Sequence, residues 1–203
     1  MTPKAKTGRY ASRTDLGVTA DEYAILRRLN RPSKIQTFLD AIPTNREIGG
    51  ETILSVRQVL LQRRAHCIEG ALVAACALWI QGDAPLVMHL DCVSSDYPHV
   101  VTLFRRGRDW GAISKSRTKL LRFRDPIYRS LRELAMSYFH EYIDGSGRKT
   151  LRSYSRPFDL RRIDTKLWVT SEHACEEVES RLANLRHYVL VNETQARRLS
   201  IRD

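Results

Sequence analysis

The residues best equipped for covalent chemistry stand together in the stretch RRAHC, Arg63 to Cys67, at the mouth of the apolar run Ile68 to Ile80. Cysteine attacks as its thiolate, and its pKa falls where a helix N-terminus, a cation or a histidine favours the anion. A helix starting at Cys67 supplies the first of these, and the basic residues before it supply the second. The unpaired N–H groups of a first helical turn can also hold the oxyanion that forms when a thiolate adds to an acyl carbon. A base is still required, and the chain has six histidines. His66 adjoins Cys67, but successive residues of a helix do not face one another, so it is a poor partner for direct proton transfer. His89 and His99 fall on strand-like segments. His99 follows the turn-like SSDYP and opens its strand, where a side chain can project from a sheet edge into a cleft; it is chosen as the base.

These groups need elements to position them. Thr19 and Glu22 form a capping-box pattern, and Tyr23, Leu26 and Leu29 continue along one helical face. KIQTFLDAIP reads as a short helix closed by Pro43. TNREIGGET reads as a loop leading into a helix from about Glu51, on which Ile53, Val56 and Leu60 repeat. That helix breaks near Cys67. A second, carrying Ile68, Leu72, Ala75 and Trp79 on one face, runs to the stop signal at Gly82. LVMHLDCV, HVVTLFRR and DWGAIS are then rich in β-formers, with RGRD as a hairpin turn between the last two. Asp125 and Pro126 read as the N-cap and first position of another helix bearing Ile127, Leu131, Leu134 and Tyr138. TLRSYSRPF reads as a strand. A last helix near Ser171 to Arg186 has Glu172, Glu176 and Glu177 early and Arg181 and Arg186 late, as the helix dipole prefers.

Helices, then strands, then helices argue for an α+β fold in one domain. The expected division is a flexible basic arm over 1–18 and a single domain over 19–203, with its core at about 51–116 and an extension at about 125–203.

The stretch CIEGALVAACAL at the start of an apolar helix, the GDAP turn, then HVVTL and DWGAI resemble the transglutaminase-like cysteine superfamily, in particular its bacterial-type domains. In that superfamily a nucleophilic cysteine on a helix is followed by a base histidine on a strand and an orienting aspartate on the next. The resemblance covers roughly Glu51 to Ser116. It implies a papain-like α+β core, a Cys-bearing helix packed on an antiparallel sheet with extra helices at both ends, and thiol acyl chemistry on a peptide or amide, with no cofactor and no metal. Carried over by position, Cys67 is the nucleophile and His99 the base. The aspartate usually follows a tryptophan by four residues, and Trp110 plus four is Ser114. Serine can accept a hydrogen bond from imidazole but carries no charge to stabilise imidazolium. Asp109 and Asp125 are substitutes that the sequence does not place. Gln62, His66 and Trp110 are candidates for oxyanion or substrate contact.

The rest of the chain supplies partners rather than chemistry. With 34 Lys+Arg against 23 Asp+Glu, the formal charge of +11 favours anionic partners. Arg105, Arg106, Lys115, Arg117 and Lys119 are the anion-binding candidates. Lys115, Arg117 and Lys119 would share one face of an extended segment. This supports a rival reading, a catalytically weak or inactive binding module whose basic face holds nucleic acid or an acidic protein. Phe123 is the sole aromatic residue in the run, a poor stacking platform for single-stranded nucleic acid. A zinc site from Cys67, His89, Cys92 and His99 is disfavoured because His89 and Cys92, three apart on a strand, point to opposite faces. Four cysteines without disulfide-framework spacing suit a reducing cytoplasm, and no apolar run is long enough to span a membrane.

Overall fold

The computed structural model describes residues 10–47 and 52–202. Four helices come first: α1 (Arg13–Leu16), α2 (Ala20–Arg28), α3 (Pro32–Ala41) and α4 (Val56–Gln62). They surround α5 (Cys67–Ile80), in which every residue from Ile68 to Ile80 is buried. A helix that is apolar on all sides belongs in the middle of a core. The chain then builds β1 (Leu86–Cys92), β2 (His99–Arg106), β3 (Asp109–Ile113) and β4 (Arg124–Tyr128), followed by α6 (Leu131–Met136). It closes with β5 (Leu151–Ser155), β6 (Phe158–Asp159), α7 (Glu176–Ala183), β7 (His187–Val189) and α8 (Glu193–Ala196).

The seven strands form one antiparallel sheet in the order β4-β3-β2-β1-β5-β7, with β6 also pairing with β1. The expected α+β class is therefore what the chain adopts. Alternation along β2 sends Val100 and Phe104 into the core around α5, and Val101 and Leu103 into a second core with Leu134, Tyr138 and Tyr142. Thr102 fastens the helix to the sheet, its hydroxyl donating to the Ala71 carbonyl at 2.8 Å. Gly70, one turn into α5, is where the helix comes closest to the segment after β3. A Cβ there would lie 2.5 Å from the Lys115 Cβ. Gly70→Ala is expected to destabilise by about 1–3 kcal/mol through overpacking, despite the better helix propensity of alanine. Urea unfolding would read it, and a stabilised variant would show that α5 can shift away from Lys115.

Several local expectations give way to packing. Residues 10–18 are no mobile arm. Ser12 caps α1 with a complete capping box, Leu16 is fully buried, and the Ala11 N–H donates to the Trp79 carbonyl at 3.1 Å. Residues 1–9 lie outside the described residues, as do positions 48–51, where the helix beginning at about Glu51 was placed. Residues 52–55 are described and not helical, so the helix starts later than expected, at Val56 with Ser55 as its cap, and Ile53 lies before it. Asp125 and Pro126 do not open a helix. They lie in β4, and the helix begins later, with Ser130 as its cap. Pro126 is tolerated because β4 is an edge strand, where a missing N–H costs no ladder bond. The last expected helix is shorter, Glu176–Ala183, and Cys175 precedes it. Among the described residues no helix is long and apolar enough to cross a membrane.

Candidate active site

The break between α4 and α5 builds the site. Arg63 ends α4 in the left-handed conformation, at φ 55° and ψ 37°. The chain then passes through Ala65, whose N–H donates to the Pro43 carbonyl and whose carbonyl accepts from the Asn45 N–H, both at 3.1 Å. His66 is the N-cap of α5, with extended backbone at φ −98° and ψ −166°, and Cys67 is the first helical residue. The expectation that His66 is a poor proton-transfer partner for Cys67 is corrected here. The argument holds for two residues inside a helix, and His66 is outside it.

Two imidazoles converge on the half-buried Cys67. The imidazoles of His66 and His99 both lie near enough to act on its thiol. Burial alone would raise the thiol's pKa. The hydrogen bonds from His66 and His99, with the charges on both rings, reverse this and bring it down to about 5. Among the described residues no imidazole acts on the other cysteines. Burial pushes Cys92 up to about 11 and Cys175 up to about 12, and raises fully buried Cys76 further. All four thiols are free. Neither arginine of the opening stretch is what charges the site. Arg63 lies over the Phe38 ring at 5.4 Å, and Arg64 donates to the Gln62 side chain.

His99 opens β2 and is 6% exposed. Its Nε2 lies 2.9 Å from the Oγ of fully buried Ser114, which follows β3. The Ser114 hydroxyl donates to the Leu121 carbonyl at 2.7 Å, so its proton is committed. Ser114 must therefore accept from His99 Nε2–H, which leaves the lone pair of the neutral ring on Nδ1. The backbone of Ser114 is clamped in turn: its N–H donates to Gln36 Oε1 at 3.1 Å, and its carbonyl accepts from Gln36 Nε2 at 2.9 Å.

His66 has a different support. Its Nε2–H donates to the Thr52 carbonyl at 2.8 Å, with carboxylate oxygens of Glu47 and Glu69 each 3.3 Å away. Burial disfavours its cation, but the Cys67 sulfur, the Glu69 charge and the Thr52 carbonyl outweigh that together and raise its pKa to about 9. Glu69 is completely buried. It accepts from the His66 N–H at 2.7 Å, the Leu54 N–H at 2.8 Å and Asn45 Nδ2 at 2.9 Å. Burial raises its pKa, opposed by the His66 charge and by these hydrogen bonds. A group surrounded by N–H donors is held as the carboxylate, since a protonated oxygen would face another donor. The sequence offered one signal for this arrangement: Glu69 is three residues after His66, the spacing of a capping box.

The remaining candidates separate. Gln62 is exposed, its amide donating to Gln58, so it is no oxyanion donor. Trp110 lies four residues before Ser114 along β3, against the second core and under the Arg105 guanidinium at 4.7 Å. Asp109 pairs with Arg106 at the far end of the β2–β3 hairpin, and Asp125 is exposed on β4, so neither replaces the aspartate. The basic candidates do not form one face. Lys115 is buried, its ammonium donating to the Leu39 and Ile42 carbonyls at 2.8 and 2.6 Å. Arg106 pairs with Asp83 at 3.1 Å. Lys119 starts a 3₁₀ turn that ends the alternation. His89 is paired with His187 at 2.9 Å.

No protein-family profile matches the chain, and no curated protein matches its sequence.

Proposed function

We propose that this chain is a cysteine-dependent acyl-transfer enzyme, hydrolysing or exchanging a peptide or amide bond on a papain-like, transglutaminase-like core. The observation that carries this reading is Cys67 at the start of a buried helix beside two imidazoles, His66 at the N-cap and His99 fixed by Ser114. The order of helix cysteine, strand histidine and a third residue after the next strand supports it as well.

In the resting site the sulfur is anionic and its one proton has passed to a neighbouring imidazole. The thiolate forms a bond to the carboxamide carbon, and the carbonyl electron pair moves to oxygen, where N–H groups of the first turn of α5 receive it. As the C–N bond breaks, the leaving nitrogen takes the proton from Nδ1 of His99, which is left as the neutral ring. A water or an amine, giving its proton to Nδ1 of His99, then releases the acyl group from sulfur. Ser114 holds His99 in the tautomer this requires. The charge that an aspartate would supply comes from the other side, through Glu69 and Glu47 on His66. Protonation near pH 5 removes the thiolate, and deprotonation near pH 9 removes the His66 cation. The rate is expected to be bell-shaped between these limits, which belong to the coupled groups as a pair.

The probe is p-nitrophenyl acetate, an activated acyl donor. A burst of nitrophenolate equal to the enzyme concentration is expected, with an acetyl group on Cys67 by mass spectrometry, and none in Cys67→Ala. A wild type without a burst, or a Cys67→Ala variant with the same burst, sinks the assignment.

A further inference from the structure

Thr44, Arg46 and Arg117 line a cavity of about 410 Å³. Both guanidiniums are exposed, and neither makes a hydrogen bond or an ion pair among the described residues, whereas Arg57, Arg106, Arg122 and Arg161 each pair with a carboxylate. The cavity is tied to the first turn of α5 from two sides. Asn45, between Thr44 and Arg46, is hydrogen-bonded through its N–H to Ala65, two residues before Cys67, and through its side chain to Glu69, two residues after it. On the other side, Lys115, two residues before Arg117, packs against Gly70 and sends its ammonium to the Ile42 carbonyl, two residues before Thr44. Buried Lys115 therefore ties the Arg117 segment to the Thr44 segment.

We propose that Thr44, Arg46 and Arg117 form an anion-binding subsite, which takes a carboxylate or phosphate on the acyl substrate of Cys67. Two guanidiniums can grip such a group through paired N–H donors, and the threonine hydroxyl adds a third contact. The substrate class narrows from amides in general to amides with an acidic group near the bond to be broken. The inference rests on the acyl-transfer reading for its purpose, but the anion site itself is tested separately.

The probes are glutarate and inorganic phosphate, titrated calorimetrically into the wild type and into the double variant Arg46→Gln, Arg117→Gln. Both substitutions are at exposed positions and leave the core intact. Binding by at least one anion is expected, weakened about tenfold or more in the double variant, because charged hydrogen bonds contribute about 1.5–3 kcal/mol each. The tighter of the two names the group. The bound anion is also expected to slow alkylation of Cys67 by neutral iodoacetamide, with Cys92 as internal control. Absence of binding, or equal binding by the double variant, overturns the site, and binding without protection of Cys67 overturns its role as a subsite. If the anion binds as expected while Cys67 is inert toward iodoacetamide without it, the failure belongs to the acyl-transfer reading instead.

Discussion

Cys67 is expected to react with iodoacetamide at full rate already at pH 6.5, with a midpoint at about 5, while Cys92 is still gaining reactivity toward about 11. At pH 7 the thiolate fractions differ by about four powers of ten, and the lower basicity of the Cys67 sulfur returns nearly three of them, because nucleophilicity falls with pKa at a Brønsted slope of about 0.4–0.5. A net advantage of about tenfold remains before access is considered, and the decisive feature is the position of the midpoint. His66→Gln and His99→Gln should each move it upward by at least about one unit, since a hydrogen bond to a charged group contributes about 1.5–3 kcal/mol and one unit corresponds to 1.36 kcal/mol. Site-resolved mass spectrometry across pH gives all four thiols at once. A wild-type midpoint near the ordinary thiol value of about 8.5 would remove the basis for the nucleophile. A midpoint that moves in His99→Gln but not in His66→Gln would restore the single-histidine arrangement expected from sequence.

The contrast between these histidines shows what could be read from sequence. His99 is legible because a strand preceded by a turn presents its first side chain at the sheet edge, whereas Ser114 comes only from the resemblance, which puts its third residue four after Trp110. His66 is not legible in this way, because the rule that adjacent helical residues face apart holds only inside the helix and His66 is its N-cap. The N-cap residue has extended backbone, and only the distinction between capping and first helical position separates a ring that faces away from one on the sulfur. Glu69 carried a capping-box spacing, but its burial against Asn45 and Leu54 depends on residues distant in sequence. Asp125 and Pro126 form a strong local helix-start signal, overridden because β3 had an unpaired edge that Arg124 to Tyr128 could fill. Lys115 looked like a surface charge because periodicity cannot show that the C-terminal carbonyls of α3 lie where its ammonium ends. The short β7 and α8 had too few residues for any period to register.

Glu69→Ala is expected to cost about 3–5 kcal/mol in stability, because it leaves the His66 and Leu54 N–H groups and the Asn45 amide buried beside a cavity and deprives the His66 cation of its partner. Urea denaturation would measure it, and a loss under about 1 kcal/mol would mean that water enters and replaces the carboxylate. Glu69→Gln tests the charge with less disturbance of shape. It keeps one acceptor oxygen but removes the negative charge that stabilises the His66 cation, so the Cys67 midpoint should rise in this variant. If the effect passes through His66, it should disappear when Glu69→Gln is combined with His66→Gln, and a shift of equal size in both backgrounds would exclude that route. Ser114→Ala should behave differently, since Ser114 fixes which nitrogen of His99 carries a proton and contributes no charge. It should lower the turnover of p-nitrophenyl acetate while moving the Cys67 midpoint less than Glu69→Gln does. An aspartate in a cysteine triad both orients its histidine and balances the imidazolium charge. On the proposed reading the two tasks fall to different residues, Ser114 orienting His99 and Glu69 balancing the charge of His66, so that a site with serine in the third position holds a thiolate.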